Sequence, residues 1–137
     1  MAYLFVLLLL SSCGKNNLLP ALQTGPGVAQ CVVKGGTNLM PPNLCIEYTG
    51  VKWQYPVASA ECDTERAACQ QSSAACSALF LDVGNCARTE SDAGARVGSC
   101  TTATGLPEEM VFRYYAPTSA GAAEAHCAAM TGTFARG

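Results

Sequence analysis

The sequence is poor in the residues that carry chemistry. It holds one histidine in 137 residues, so any imidazole-dependent mechanism must use His126. No two cysteines stand close together: the shortest spacing, Cys62 to Cys69, leaves six residues between. Structural zinc sites use C-x₂₋₄-C, often with histidine, and thioredoxin-like sites and c-type haem use C-x-x-C and C-x-x-C-H. Those patterns are missing, so no metal, haem or other cofactor is expected. Gly35-Gly36 has no helix signal behind it and reads as a turn rather than a phosphate cradle. No G-x-S-x-G occurs. Glu108-Glu109 reads as a solvated pair rather than a glycosidase dyad. Glu47 and Glu124 could serve His126 only if the fold brought them to it.

Charge is scarce too. Eight Lys and Arg against ten Asp and Glu give a net charge of −2, with no run of either sign. Nucleic-acid binding wants a basic face, so it is excluded. Attraction to an anionic lipid surface by charge is excluded on the same ground. No Asn-x-Ser/Thr acceptor is present. Large apolar residues are thin after residue 30, and the single tryptophan, Trp53, reads as a core anchor rather than a binding platform.

What is abundant is cysteine, nine in all. Met1 to Leu10 is an apolar run too short for a bilayer, which takes about 20 residues. It fits the apolar region of a signal peptide, although no Lys or Arg precedes it. Leu10-Ser11-Ser12-Cys13 directly behind this run resembles a bacterial lipobox. The resemblance implies a signal peptide over 1–12 and acylation of Cys13, with palmitate-type chains, as the first mature residue. It implies a membrane-anchored lipoprotein of the bacterial cell envelope, and Gly14 leans toward the outer membrane. The rival is ordinary secretion by cleavage after Gly27-Val28-Ala29. That site lies far from the apolar run, with Lys15, Asn16 and Asn17 between. Either route puts the remaining cysteines outside the cytoplasm.

Residues 14–30 read as a tether with a reach of about 20–25 Å, from roughly 5–6 Å times the square root of length. Residues 31–137 read as one cysteine-rich domain. With so thin a core, disulfides would contribute about 2–4 kcal/mol each. All eight cysteines of the domain, Cys31, Cys45, Cys62, Cys69, Cys76, Cys86, Cys100 and Cys127, are expected to be oxidised.

Within the domain, 34–43 is a loop by its Gly and Pro content. Residues 44–55 read as a β-hairpin turning at Thr49-Gly50, with Ile46 and Tyr48 on one arm and Val51, Trp53 and Tyr55 on the other. Residues 57–79 read as one helix, with no Gly or Pro inside. Its Cys62, Cys69 and Cys76 recur every seven residues, about 10 Å apart along a helix at 1.5 Å per residue. Disulfides need Cα atoms within about 7 Å, so an intact helix disfavours Cys69–Cys76 and would act as a strut tied to three other segments. Residues 80–100 turn and loop, 109–115 read as a strand, and 119–130 as a short helix.

Two stretches run in parallel. Val28-x-x-Cys31, a strand with Glu47-Tyr48 and a helix with Glu61-Cys62 match Val97-x-x-Cys100, a strand with Arg113-Tyr114 and a helix with His126-Cys127. This suggests a two-fold internal repeat, in which Cys31–Cys62 and Cys100–Cys127 would be equivalent bridges. The expected fold is α+β, a small disulfide-rich domain with its central helix against a short antiparallel sheet.

No catalytic residue is expected, since His126 and Cys127 point about 100° apart on a helix and an oxidised Cys127 is no nucleophile. The expected function is a non-catalytic binding or structural module. Its partners would be the membrane, through the lipid on Cys13, and a protein. The alternatives are an inhibitor presenting loop 34–43 or 87–99, and an envelope enzyme using His126.

Overall fold

The computed structural model describes residues 29–37, 40–82, 86 and 94–137. The apolar run, Cys13, tether residues 14–28 and most of loop 87–99 lie outside the described residues. The chain forms β1 (Ala29–Lys34), β2 (Asn43–Tyr48), α1 (Val57–Ser72), β3 (Ser77–Leu81), β4 (Arg96–Thr102), β5 (Met110–Tyr115), α2 (Ala120–Ala129) and β6 (Thr133–Arg136). The six strands make one sheet in the order β3-β1-β2-β5-β4-β6, and every pairing is antiparallel. β1 begins two residues ahead of Cys31, so Ala29 and Gln30 belong to the sheet and not to a tether.

One row of paired residues crosses the whole sheet: Phe80, Cys31, Ile46, Phe112, Cys100 and Phe134. Residues directly opposite share a face, so these six side chains all point the same way. Both helices cover that face. Cys31 is bridged to Cys62 of α1, and Cys100 to Cys127 of α2. The main core fills the space between, with Val33, Leu44, Ile46, Tyr48, Phe112 and Tyr114 all buried. The other face carries a smaller cluster of Tyr115 and the Cys45–Cys86 bridge, which pins Cys86 against the sheet.

The strand at 110–115 and the helix at 120–129 stand where the sequence predicts them. Ser119 caps α2 by accepting the Ala122 N–H at 3.2 Å, the usual role of an N-cap hydroxyl.

The end of 80–100, expected as turn and loop, is strand β4. Two further expectations fail. The first is the hairpin at 44–55. β2 stops at Tyr48, and its two hydrogen-bonding edges are taken by β1 and β5. No edge is left for 51–55, which instead forms turns. Trp53 folds down onto Tyr48, ring centroids 5.3 Å apart, and is buried.

The second is the long helix. α1 ends at Ser72, and Ser73 turns extended at φ −158°, ψ 128°. The Cys69 carbonyl accepts the last helical N–H, from Ser73 at 3.1 Å, and also the Ser72 hydroxyl at 2.7 Å. Cys69 and Cys76 are therefore disulfide-bonded, with Cα atoms 5.5 Å apart. The 10 Å argument is sound for an unbroken helix, but the helix breaks between them. The gain that favours the break is β3, whose five residues pair along β1. Cys69 and Cys76 thus do not reach other segments, and only Cys62 ties α1 to the sheet.

Candidate functional site

A concavity lies where the β1–β2 loop meets the start of α2. Gly35 sits at φ 81°, in the left-handed region that glycine tolerates best, and turns the chain away from β1. Its N–H donates to the Pro42 carbonyl at 2.9 Å, closing the loop at its base. Met40 plugs the loop into the core. Across from it, the Thr118 hydroxyl meets both the N–H and the carbonyl of Asn43 at 3.3 Å, and Asn43 Nδ2 donates to the Ala116 carbonyl at 2.9 Å. The start of β2 is thereby stitched to the turn that leads into α2. Between the two lies a half-open cleft of about 460 Å³, lined by Thr37, Pro41 and Pro42 on one side and Pro117–Ser119, Ala122, His126 and Ala129 on the other.

His126 is the ionisable group of this cleft. Its Nδ1 lies 3.0 Å from the Tyr114 hydroxyl, and the Phe112 and Tyr114 rings stand edge-on to it at 6.1 and 5.8 Å. Burial lowers the imidazole pKa from its ordinary value and pushes the Tyr114 phenol up. At neutral pH the pair is an uncharged imidazole and an uncharged phenol sharing one hydrogen bond. Among the described residues no charged side chain lines the cleft. Its chemistry suits an uncharged, largely apolar ligand with a hydrogen-bonding group for His126.

The remaining sequence candidates lie apart from this site. Glu47 is on the opposite face of the sheet, where Oε2 accepts from Arg113 at 2.9 Å and Oε1 from the Cys86 N–H at 2.8 Å. Glu124 lies on the surface, 3.8 Å from Arg136. Glu108 is exposed. Glu109 accepts from the Thr49 hydroxyl at 2.9 Å and the Gly105 N–H at 2.6 Å, and these bonds hold its carboxyl below the usual range. Loop 34–43 and His126, singled out separately in the sequence, are brought together. Tyr114, Thr118 and Asn43 are positioning residues that sequence reasoning missed; no spacing in the chain signals their long-range bonds. Among the described residues no group of three or more His, Cys, Asp or Glu side chains could hold a metal ion.

The chain matches no family model, no curated protein and no solved structure.

Proposed function

We propose that this protein is a non-catalytic lipoprotein of the bacterial cell envelope, a disulfide-braced binding module displayed from a lipid on Cys13. The observation that supports the anchor is cysteine bookkeeping. Four bridges consume eight of the nine cysteines, which leaves Cys13 without an intrachain partner. It is also the one cysteine that stands directly behind an apolar run. A leftover cysteine in an exported protein calls for a separate role, and acylation supplies one. The cleft beside His126 is the binding surface of this reading, facing a protein or small partner.

The two halves favour the reading of a duplicated scaffold. Each runs β-β-α-β with a bridge from its first strand to its helix. The inhibitor alternative is less well served, because Thr37, Pro41 and Pro42 of loop 34–43 line a cleft wall. The enzyme alternative lacks a second reactive group, since the hydrogen-bond partner of His126 is a phenol and Cys127 is bridged.

Metabolic labelling with a radioactive fatty acid tests the anchor. The wild-type chain takes up label and Cys13→Ala takes up none. Equal incorporation in both removes the lipoprotein reading. For the cleft, a tagged domain carrying Ala122→Arg should lose the partners that the wild type retains from envelope extract.

A further inference from the structure

Two stitched turns present large apolar side chains to solvent at one end of the sheet. The β2–α1 connection exposes Val51 at 74% and Tyr55 at 68%, and the β4–β5 connection exposes Leu106 at 57%. The turns are held against each other by Gly50 N–H to the Glu109 carbonyl and Lys52 N–H to the Pro107 carbonyl, both at 2.9 Å. A Cβ on Gly50 would collide with the Pro107 carbonyl, so the two backbones are in direct contact there. Beneath them, the Trp53 N–H donates to the Gly50 carbonyl at 3.1 Å, and the Trp53 ring packs on Tyr48. Val51 and Leu106 thus sit on a braced tip, backed by the core.

The same end is where the chain enters the domain. Ala29 pairs with Tyr48, and Tyr48 with Met110. Cys13 lies sixteen residues ahead of Ala29, a segment that can span at most about 53–58 Å. β1 itself spans about 20 Å at roughly 3.3 Å per residue. A lipid on Cys13 is therefore joined to the domain at the tip end of the sheet. The cleft, by contrast, is built from the loop at the far end of β1. Charge at the tip is mixed: Lys52 lies 5.1 Å from the Trp53 ring centre, Glu108 is exposed, and the Glu109 carboxylate is turned inward onto Thr49 and Gly105.

We infer that this tip is a membrane-docking surface, with Val51 and Leu106 seated among the headgroups of the bilayer that holds Cys13. The inference rests on the lipoprotein reading for the source of that bilayer. Apolar side chains of peripheral proteins bury at the headgroup–acyl boundary, tyrosine favours the same depth, and a lysine stem can lie along apolar surface while its charge stays in water. Mixed charge suits a zwitterionic surface. A second contact at the tip orients the domain, with the His126 cleft directed outward.

The test uses the full chain coupled through Cys13 to a maleimide lipid in phosphatidylcholine vesicles, so it does not depend on acylation in the cell. Trp53 is the only tryptophan and reports on the tip. Its emission should fall in vesicles with brominated acyl chains compared with unbrominated ones. Val51→Asp/Leu106→Asp should abolish that quenching with vesicle attachment and near-ultraviolet dichroism unchanged. Leu79→Asp, an exposed apolar residue on another strand, should leave it intact. Quenching that is absent in the wild type, or unaffected by the double substitution, overturns the proposal. So does a wild-type dimer in vesicle-free sedimentation that the double substitution converts to monomer, which would make the tip a contact between copies. Failure of the anchor reading reads differently: no fatty-acid label on Cys13 in cells, with docking of the coupled chain intact.

Discussion

Ile46 lies directly opposite Phe112 at the centre of the sheet, and each is also paired with a cysteine that is bridged to a helix. The row reads Phe-Cys-Ile from one edge and Phe-Cys-Phe from the other. On the reverse face, Glu47 and Arg113, each one residue beyond the Ile46–Phe112 pair, join in an ion pair. The middle of the domain is thus fixed by non-local pairing, and the bridges carry that order out to the helices.

The ion pair should matter to stability. The Glu47 side chain is only 5% exposed, and it also accepts the Cys86 N–H. Glu47→Ala leaves a partly buried guanidinium and a buried N–H without this acceptor. The expected cost is about 3–5 kcal/mol, the range for breaking a buried pair, read from urea unfolding.

The four bridges should not be equivalent. In the chain-entropy picture, stabilisation grows with the length of loop closed. Cys69–Cys76 spans 7 residues and Cys45–Cys86 spans 41. Cys69→Ser/Cys76→Ser should cost about 2.5 kcal/mol and Cys45→Ser/Cys86→Ser about 4 kcal/mol. In the single variant Cys69→Ser, peptide mapping should find the orphan thiol at Cys76.

Acid should act on the cleft through His126. Its folded pKa is depressed by burial, so the unfolded chain binds the proton more readily. Stability is then complete above the unfolded value of about 6.5 and falls as pH drops from there toward the folded pKa. Glu65 works the other way: burial first, then Glu61, raises its pKa, so stability falls as pH rises through the folded value. Subtracting the His126→Gln stability curve from that of the wild type isolates the histidine, and the difference should change between pH 7 and 5. Glu65→Gln should stabilise the domain at pH 7 and lose that advantage near pH 4.

Local signals carried much of the fold into the sequence. Pro117-Thr118 ahead of the run from Ser119 to Met130 marked α2, and the run 109–115 marked β5. Oxidation of all eight domain cysteines followed from the expected export and from the lack of C-x-x-C spacing. The failures share a cause. Nothing local in Val51–Tyr55 says that β2 already has partners on both edges, and nothing in Ser73–Cys76 says that β1 will recruit Ser77–Leu81 as a strand. Helix propensity over 57–79 is real, but strand pairing and the Cys69–Cys76 bridge outweigh it. The cleft was half legible: His126 and loop 34–43 stood out by composition, whereas their meeting depends on Asn43–Thr118 bonds across 75 residues.

The most direct test of the whole reading is the intact mass of the protein purified from the envelope, measured before and after reduction. The account predicts a chain beginning at Cys13, heavier than its peptide mass by the attached lipid, and a gain of eight hydrogens on reducing four disulfides. An unmodified chain beginning at Gln30, or free thiols among Cys31 to Cys127 before reduction, would contradict it.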